Sequence, residues 1–260
     1  MKNHPIGILD SGIGGITILK EILKILPNEN YLYYSDSIHN PYGEKTKEEV
    51  VEIVEKIVES FMKKNCKAIV FACNTATALA IDEIRRKYPD FIFVGTEPAY
   101  KVVYDCSFDK KALVMATPAT INSERFDNLY HKYDNQNTIL LPCSNLAYLI
   151  ENRKTEEVEK YLNQNLPKNE KIEVVVLGCT HYPLIKTEIQ KVLGNVIFYD
   201  SSKGVANRLK KLLKKEDLLS ENKIGSINVP KWGERNFTPF FKICKCTILQ
   251  VRSIIMFKGE

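Results

Sequence analysis

A chain of 260 residues, 44% hydrophobic and 27% charged, has the make-up of a globular protein large enough for one big α/β domain or two smaller ones. No window nears the ~18 uninterrupted apolar residues of a membrane span, and Met1–Pro5 lead straight into apolar Ile6-Gly7-Ile8-Leu9 without a signal-peptide core, so a cytoplasmic protein is expected. Of the net charge of +5, +4 sits in residues 226–260, with six Lys/Arg against two Glu; the nearly neutral body offers no basic face for nucleic acid.

Along the chain, short apolar runs alternate with segments of helical period. A strand is expected at 6–10, then a turn Asp10-Ser11-Gly12-Ile13-Gly14-Gly15 and a helix over 14–26. A strand at 31–35 leads to a turn at Asn40-Pro41-Tyr42-Gly43 and an amphipathic helix over 48–64. In that helix Val50, Val51, Val54, Ile57, Val58, Phe61 and Met62 recur at i, i+3, i+4 spacing. Strand 68–72, Cys73, helix 75–87 and strand 91–95 complete a first unit. The second unit runs through strand 111–116, helix 121–132, strand 137–142, helix 155–165, strand 173–178, Cys179, helix 183–193 and strand 196–199. A helix over 203–215 follows. Such alternation predicts α/β architecture with mainly parallel sheets covered by helices.

The two units are related by an internal repeat. AIVFACNT at 68–75 aligns with VVVLGCTH at 174–181, which lays Cys73 on Cys179 at an offset of 106. Without a gap, the same offset lays IGILDS at 6–11 on ALVMAT at 112–117 and YLYYSD at 31–36 on NTILLP at 137–142. Ser11 then falls on Thr117, and 62 residues separate Ser11 from Cys73 as they do Thr117 from Cys179. Ligands of open α/β sheets bind beyond the carboxyl ends of strands, where both cysteines lie. Two pseudo-symmetric, doubly wound lobes would point two thiols into one cleft between them. The expected lobes are residues 1–95 with about 202–260, and residues 96–201.

Seven cysteines without a signal peptide argue for free thiols, and Cys244-x-Cys246 is too sparse for a zinc site. A single thiol after a strand reads first as a small buried hydrophobe. A pair at equivalent positions of a repeat reads as chemistry, because inverting a carbon centre takes a base on one face and an acid on the other. The helices expected from near Thr75 and Pro183 would place each sulfur near a helix N-terminus, which favours the thiolate. The turn after Asp10 lacks the last glycine of a dinucleotide fingerprint, Thr17 standing in its place. It reads either as a capped turn or as a loop whose amides hold a substrate carboxylate, with Asp10 near enough to act on a proton or an ammonium. Asn40-Pro41-Tyr42-Gly43 reads by itself as a turn. His181 lies two residues from Cys179, where it can tune that thiol. Glu151 reads more readily as a solvated helix-end carboxylate than as a cleft residue.

With these residues assembled, the chain resembles the bacterial glutamate racemases of the aspartate/glutamate racemase superfamily. GILDSGIGG at 7–15, NPYGEKT at 40–46, ACNTATA at 72–78, ATPATINS at 116–123 and GCTHYPL at 178–184 carry the resemblance over residues 6 to about 215. It implies two α/β lobes, no cofactor, Cys73 and Cys179 as catalytic bases, and Asp10 and His181 beside them. It further implies substrate contacts from Asp10, Ser11, Pro41, Tyr42, Gly43, Asn74, Thr75, Thr180 and His181, with Thr117 and Thr120 as a further strip. Glutamate is the implied substrate, and D-glutamate for peptidoglycan synthesis the implied product. A homodimer is left open, and neither nucleic acid nor membrane is expected as a partner.

The resemblance stops at residues 226–260, where the family closes its first lobe with a strand and a helix. This stretch is basic, carries Trp232, Cys244 and Cys246, and ends in an apolar run at 247–257, as if from a shifted reading frame. It is expected to be the least securely packed part of the chain. A racemase of a neighbouring acid such as aspartate is the nearest alternative function. A two-lobed small-anion sensor and a nucleotide-dependent oxidoreductase are more distant ones.

Overall fold

The computed structural model describes residues 1–133 and 137–228. In chain order the elements are β1 (Ile6–Asp10), α1 (Ile16–Ile25), β2 (Asn30–Ser35), α2 (Lys47–Lys63), β3 (Ala68–Phe71), α3 (Asn74–Lys87), β4 (Phe93–Gly95), α4 (Tyr100–Cys106), β5 (Ala112–Ala116) and α5 (Pro118–Ile121). They continue as α6 (Glu124–Lys132), β6 (Thr138–Pro142), α7 (Leu146–Glu151), α8 (Thr155–Asn165), β7 (Val174–Gly178), α9 (Lys186–Leu193), β8 (Ile197–Tyr199), α10 (Ser202–Lys215) and β9 (Ser226–Asn228). Single 3-10 turns stand at Tyr42–Glu44 and Tyr182–Ile185. Among the described residues no helix is long and apolar enough to cross a membrane.

Two parallel sheets form two lobes, ordered β4-β3-β1-β2-β9 and β6-β5-β7-β8. Read from the other edge, the second sheet runs β8-β7-β5-β6 and matches β4-β3-β1-β2 strand for strand, with β9 the extra strand of the first sheet among the described residues. Ile6 pairs with Ala68 and Ala112 with Val174, so the register of the central pair is the same in both halves. The ungapped repeat fails one strand out: Ile6 pairs with Tyr31, whereas Ala112 pairs with Thr138, one residue further along than the constant offset places it.

Alternation along each strand feeds two cores per lobe. Ile6, Ile8, Tyr31, Tyr33 and Val70 face α1 and α10, while Leu9, Leu32, Ile69 and Phe71 face α2 and α3. In the second lobe Leu113, Met115, Val175 and Leu177 pack with α7, α8 and α9, and Val114, Val174 and Val176 with α4 and α6. Helix starts follow local chemistry. Thr46 Oγ1 accepts from Glu49 N (3.2 Å) and the Glu49 carboxylate accepts from Thr46 N (2.8 Å), a capping box that stabilises the start of α2 by about 1 kcal/mol. The single helix expected over 121–132 is interrupted, because Ser123 Oγ accepts from Phe126 N (3.1 Å) and starts a new helix there.

The atypical tail is corrected at its first residues. Ser226–Asn228 form β9 and pair with Asn30–Leu32, with Ile227 buried. The segment before it is anchored by a buried ion pair. Lys67 Nζ lies 2.5 Å from Glu29 Oε2 and donates to Leu218 O (2.8 Å), and Glu29 Oε1 accepts from Ser220 N (2.8 Å). Trp232, Cys244, Cys246 and the apolar run at 247–257 lie outside the described residues.

Candidate active site

The site forms where the carboxyl ends of β1 and β3 meet those of β5 and β7. Cys73 is the N-cap of α3, its Sγ accepting from Ala76 N (3.5 Å), and Ser11 Oγ lies 3.4 Å from the same sulfur. Burial pushes the Cys73 thiol up to about 12; the Asp10 carboxylate, and a charge on Cys179, push in the same direction.

Asp10 is fully buried at the end of β1. Its Oδ2 accepts from Gly12 N (3.1 Å) and Gly15 N (2.9 Å), and its Oδ1 accepts from Thr180 Oγ1 (3.2 Å) in the other lobe. Burial raises its pKa to about 6, against the pull of His181 and of the two amides. The glycine-rich turn thus differs from the carboxylate loop entertained from sequence. Gly12 and Gly15 donate to Asp10, and Ile13 N donates to Glu151 Oε2 (2.9 Å), so the protein's own acids occupy three of its amides. Gly14 lets this turn lie directly on the second lobe, since a Cβ there would stand 2.4 Å from Thr180 Oγ1 and 2.7 Å from the Thr180 backbone carbon.

Cys179, directly after β7, has a different setting. Its Sγ is 3.7 Å from His181 Nδ1, and His181 Nε2 is 2.6 Å from Glu151 Oε2. Burial by itself would lower the His181 pKa, but its bonds to Cys179 and Glu151 outweigh that and hold it well above the ordinary value. The α-helix expected from Pro183 begins only at Lys186, after a 3-10 turn. Cys73 therefore sits at an α-helix N-terminus and Cys179 does not. Glu151 is 5% exposed rather than solvated, because Ile13 and His181 close over it.

A hydroxyl cluster spans the lobes. Thr75 Oγ1 lies 3.0 Å from Thr117 Oγ1 and 3.4 Å from Thr120 Oγ1, and the latter two are 2.9 Å apart. Gly43 backs onto Thr117, where a Cβ would come within 2.8 Å of the Thr117 Cβ. Asn74 Nδ2 donates to Thr96 O (3.3 Å), so its amide faces the lobe crossover. Tyr42 is buried with its hydroxyl donating to Asp36 Oδ2 (2.6 Å), and Gly43 is the residue of this turn that lies against Thr117. Asp36 and its partner His39 (Nδ1 to Oδ2, 2.8 Å) were not singled out from sequence. Asp36 follows the end of β2 as Asp10 ends β1, a position that could have flagged it.

With this geometry in view, residues 16–208 match the family model described as Asp/Glu/Hydantoin racemase. A glutamate racemase of Clostridium kluyveri is 47% identical over 235 residues, 88% of this chain and 91% of that one. The chain belongs to the Asp/Glu/hydantoin racemase family. Among solved structures, a glutamate racemase isoform of Bacillus anthracis superposes with a TM-score of 0.83 at 30% identity, covering 100% of this chain and 98% of that one. The glutamate racemase of Francisella tularensis, in complex with D-glutamate, gives 0.79 at 29% identity over 99% and 97%. As a racemase of this family the protein is an isomerase acting on an amino acid.

Proposed function

We propose that the chain interconverts L- and D-glutamate by acid/base chemistry between Cys73 and Cys179. The observation that carries this reading is the pair of buried thiols at equivalent strand ends of a repeated fold, against one shared set of charged groups. Glutamate, rather than a shorter acid, is supported by the relatives that are glutamate racemases. Its D-enantiomer is the product that supplies peptidoglycan synthesis.

One sulfur, as thiolate, removes the α-proton, and the carbanion is protonated on its opposite face by the S–H of the other. The first sulfur ends as thiol and the second as thiolate, and the reverse reaction exchanges the roles. No redox equivalent is consumed, and the step needs no pyridoxal phosphate, metal or nucleotide. Burial keeps Cys73 protonated in the free protein, and the cationic His181 beside Cys179 supplies a counter-charge for that sulfur. Asp10, ionised above about pH 6, suits the substrate ammonium. The hydroxyls of Thr75, Thr117 and Thr120, with the first turn of α3 at Asn74–Thr75 and the Pro41–Gly43 turn, suit its carboxylates. Ser11 and Thr180 steady Cys73 and Asp10.

The test is α-proton exchange from L- and D-glutamate in D2O for Cys73→Ser and Cys179→Ser. Racemisation should collapse in both, while exchange survives in each for the enantiomer facing the intact thiol. Serine is too weak an acid to supply the missing anion. Full racemisation in either variant would end the two-thiol reading. Cys66→Ser, away from the paired positions, serves as the control.

A further inference from the structure

Asn40 precedes the Pro41–Gly43 turn and reaches back to the other loop of its own lobe. Its Nδ2 donates to Ser11 O at 2.8 Å. A peptide carbonyl only accepts, so the amide orientation is fixed with nitrogen toward Ser11. That leaves Oδ1, which is buried without a hydrogen-bond partner among the described residues. Partnerless buried polar atoms are few in folded proteins, and this one belongs to the side chain that grips the loop between the two thiols.

The grip is close. A Cβ on Gly12 would stand 2.6 Å from Asn40 Nδ2 and 2.4 Å from Glu151 Oε2. The Ser11–Gly12 peptide is thus held between the Asn40 amide and the carboxylate that partners His181. Ser11 in turn places its hydroxyl 3.4 Å from Cys73 Sγ. The second half does not repeat the amide at the matching positions: at the constant offset Asn40 falls on Leu146, and with the one-residue slip of β6 on Ala147, both apolar.

We propose that Asn40 is a positioning residue for Cys73. By fixing the Ser11 peptide it keeps the Ser11 hydroxyl on that sulfur, and so governs proton transfer on one face of the substrate only. This rests on the two-thiol reading above. Because the two enantiomers' kcat/KM values are tied by the racemisation equilibrium, a one-face defect shows itself in isotope effects instead.

The experiment measures primary isotope effects with α-deuterated L- and D-glutamate for the wild type, Asn40→Ala and the near-isosteric Asn40→Asp. The latter sets a carboxylate oxygen against the Ser11 carbonyl. Cys73→Ser, run alongside, identifies the enantiomer that Cys73 deprotonates. We expect kcat to fall about three- to ten-fold, the scale of one hydrogen bond, with KM within about two-fold. The isotope effect should rise for the Cys73 enantiomer and fall for the other, and Asn40→Ser, whose hydroxyl can donate, should recover part of the rate. Racemisation persisting in Cys73→Ser would dispose of the two-thiol reading itself. With that reading intact, isotope effects that stay fixed or move together in the folded Asn40 variants overturn the role of Asn40. Melting curves identify which variants are folded, and any one of the three suffices to decide.

Discussion

His181 Nε2 and Glu151 Oε2 lie 2.6 Å apart with both side chains buried, and the same carboxylate oxygen accepts from Ile13 N of the other lobe at 2.9 Å. Glu151→Gln keeps the shape and removes the anion that helps hold His181 cationic. Its pKa should then fall toward the ordinary histidine value, and the alkaline limb of kcat/KM against pH should move to lower pH. We expect kcat to drop at least ten-fold, roughly the 1.4 kcal/mol of one charged hydrogen bond. Stability follows the same sign. The pair's contribution is complete below the unfolded histidine pKa, near 6.5, and is lost as pH rises through the raised folded value. A pH profile that does not shift in Glu151→Gln would remove His181 from the proton economy.

Asp10 shares this pH direction for a different reason, because its ionised form is the one that burial penalises. Folding raises its pKa from 3.8 to about 6, so burying the ionised form costs about 3 kcal/mol at neutral pH. Between those two values the native protein holds a proton that the unfolded chain has released, and this contribution to stability grows as pH falls from 6 toward 3.8. Asp10→Asn should therefore melt higher than wild type near pH 7.5, with the gap closing below about pH 4, while racemisation falls by roughly two orders of magnitude. Equal or lower melting temperature of the variant at neutral pH would contradict the burial argument.

Thr117→Val removes one hydroxyl from the interlobe cluster with little change of shape. Binding of glutamate, measured by calorimetry, should weaken about ten-fold, with KM following and kcat changing less. The lost cap of α5 should cost about 1 kcal/mol of stability. Unaltered affinity would place the substrate carboxylates elsewhere.

Lys67 offers a test away from the chemistry. Removing one member of a buried pair strands the other charge, so Lys67→Met should cost about 3–5 kcal/mol. Lys67→Met with Glu29→Leu should recover much of that loss. Hydrogen exchange should quicken at 217–228 first in the single variant. KM for glutamate should stay unchanged in whichever variant remains folded.

Much of this arrangement is legible in the sequence, for physical reasons. The central strands and the two cysteines are readable because β1–β3 and β5–β7 share one register, so a constant offset finds them. The short helices α4 and α7 and the three-residue β9 carry too few residues to show a period. The slip between β2 and β6 is invisible to an ungapped alignment, because either register gives an apolar run. Glu151 is misread from sequence because its burial depends on Ile13 and His181, which are distant along the chain. The occupied amides of the Asp10 turn are hidden likewise: nothing local announces that an acid from the other lobe will claim one.

The seating of the Gly14 turn on Thr180 has a consequence for the chemical safety of the thiols. Cys73 is 5% exposed and Cys179 8%, and their neighbours Ser11 and His181 adjoin residues that join one lobe to the other, Ile13 with Glu151 and Thr180 with Asp10. Parting the lobes would admit peroxide or any water-borne electrophile to the sulfurs. The same movement would pull Ile13 from Glu151 and Thr180 from Asp10, dismantling the charge arrangement that prepares the site for proton transfer. An open molecule is then both accessible and chemically unready, so the sulfurs are shielded from solvent in the same arrangement that readies them for substrate.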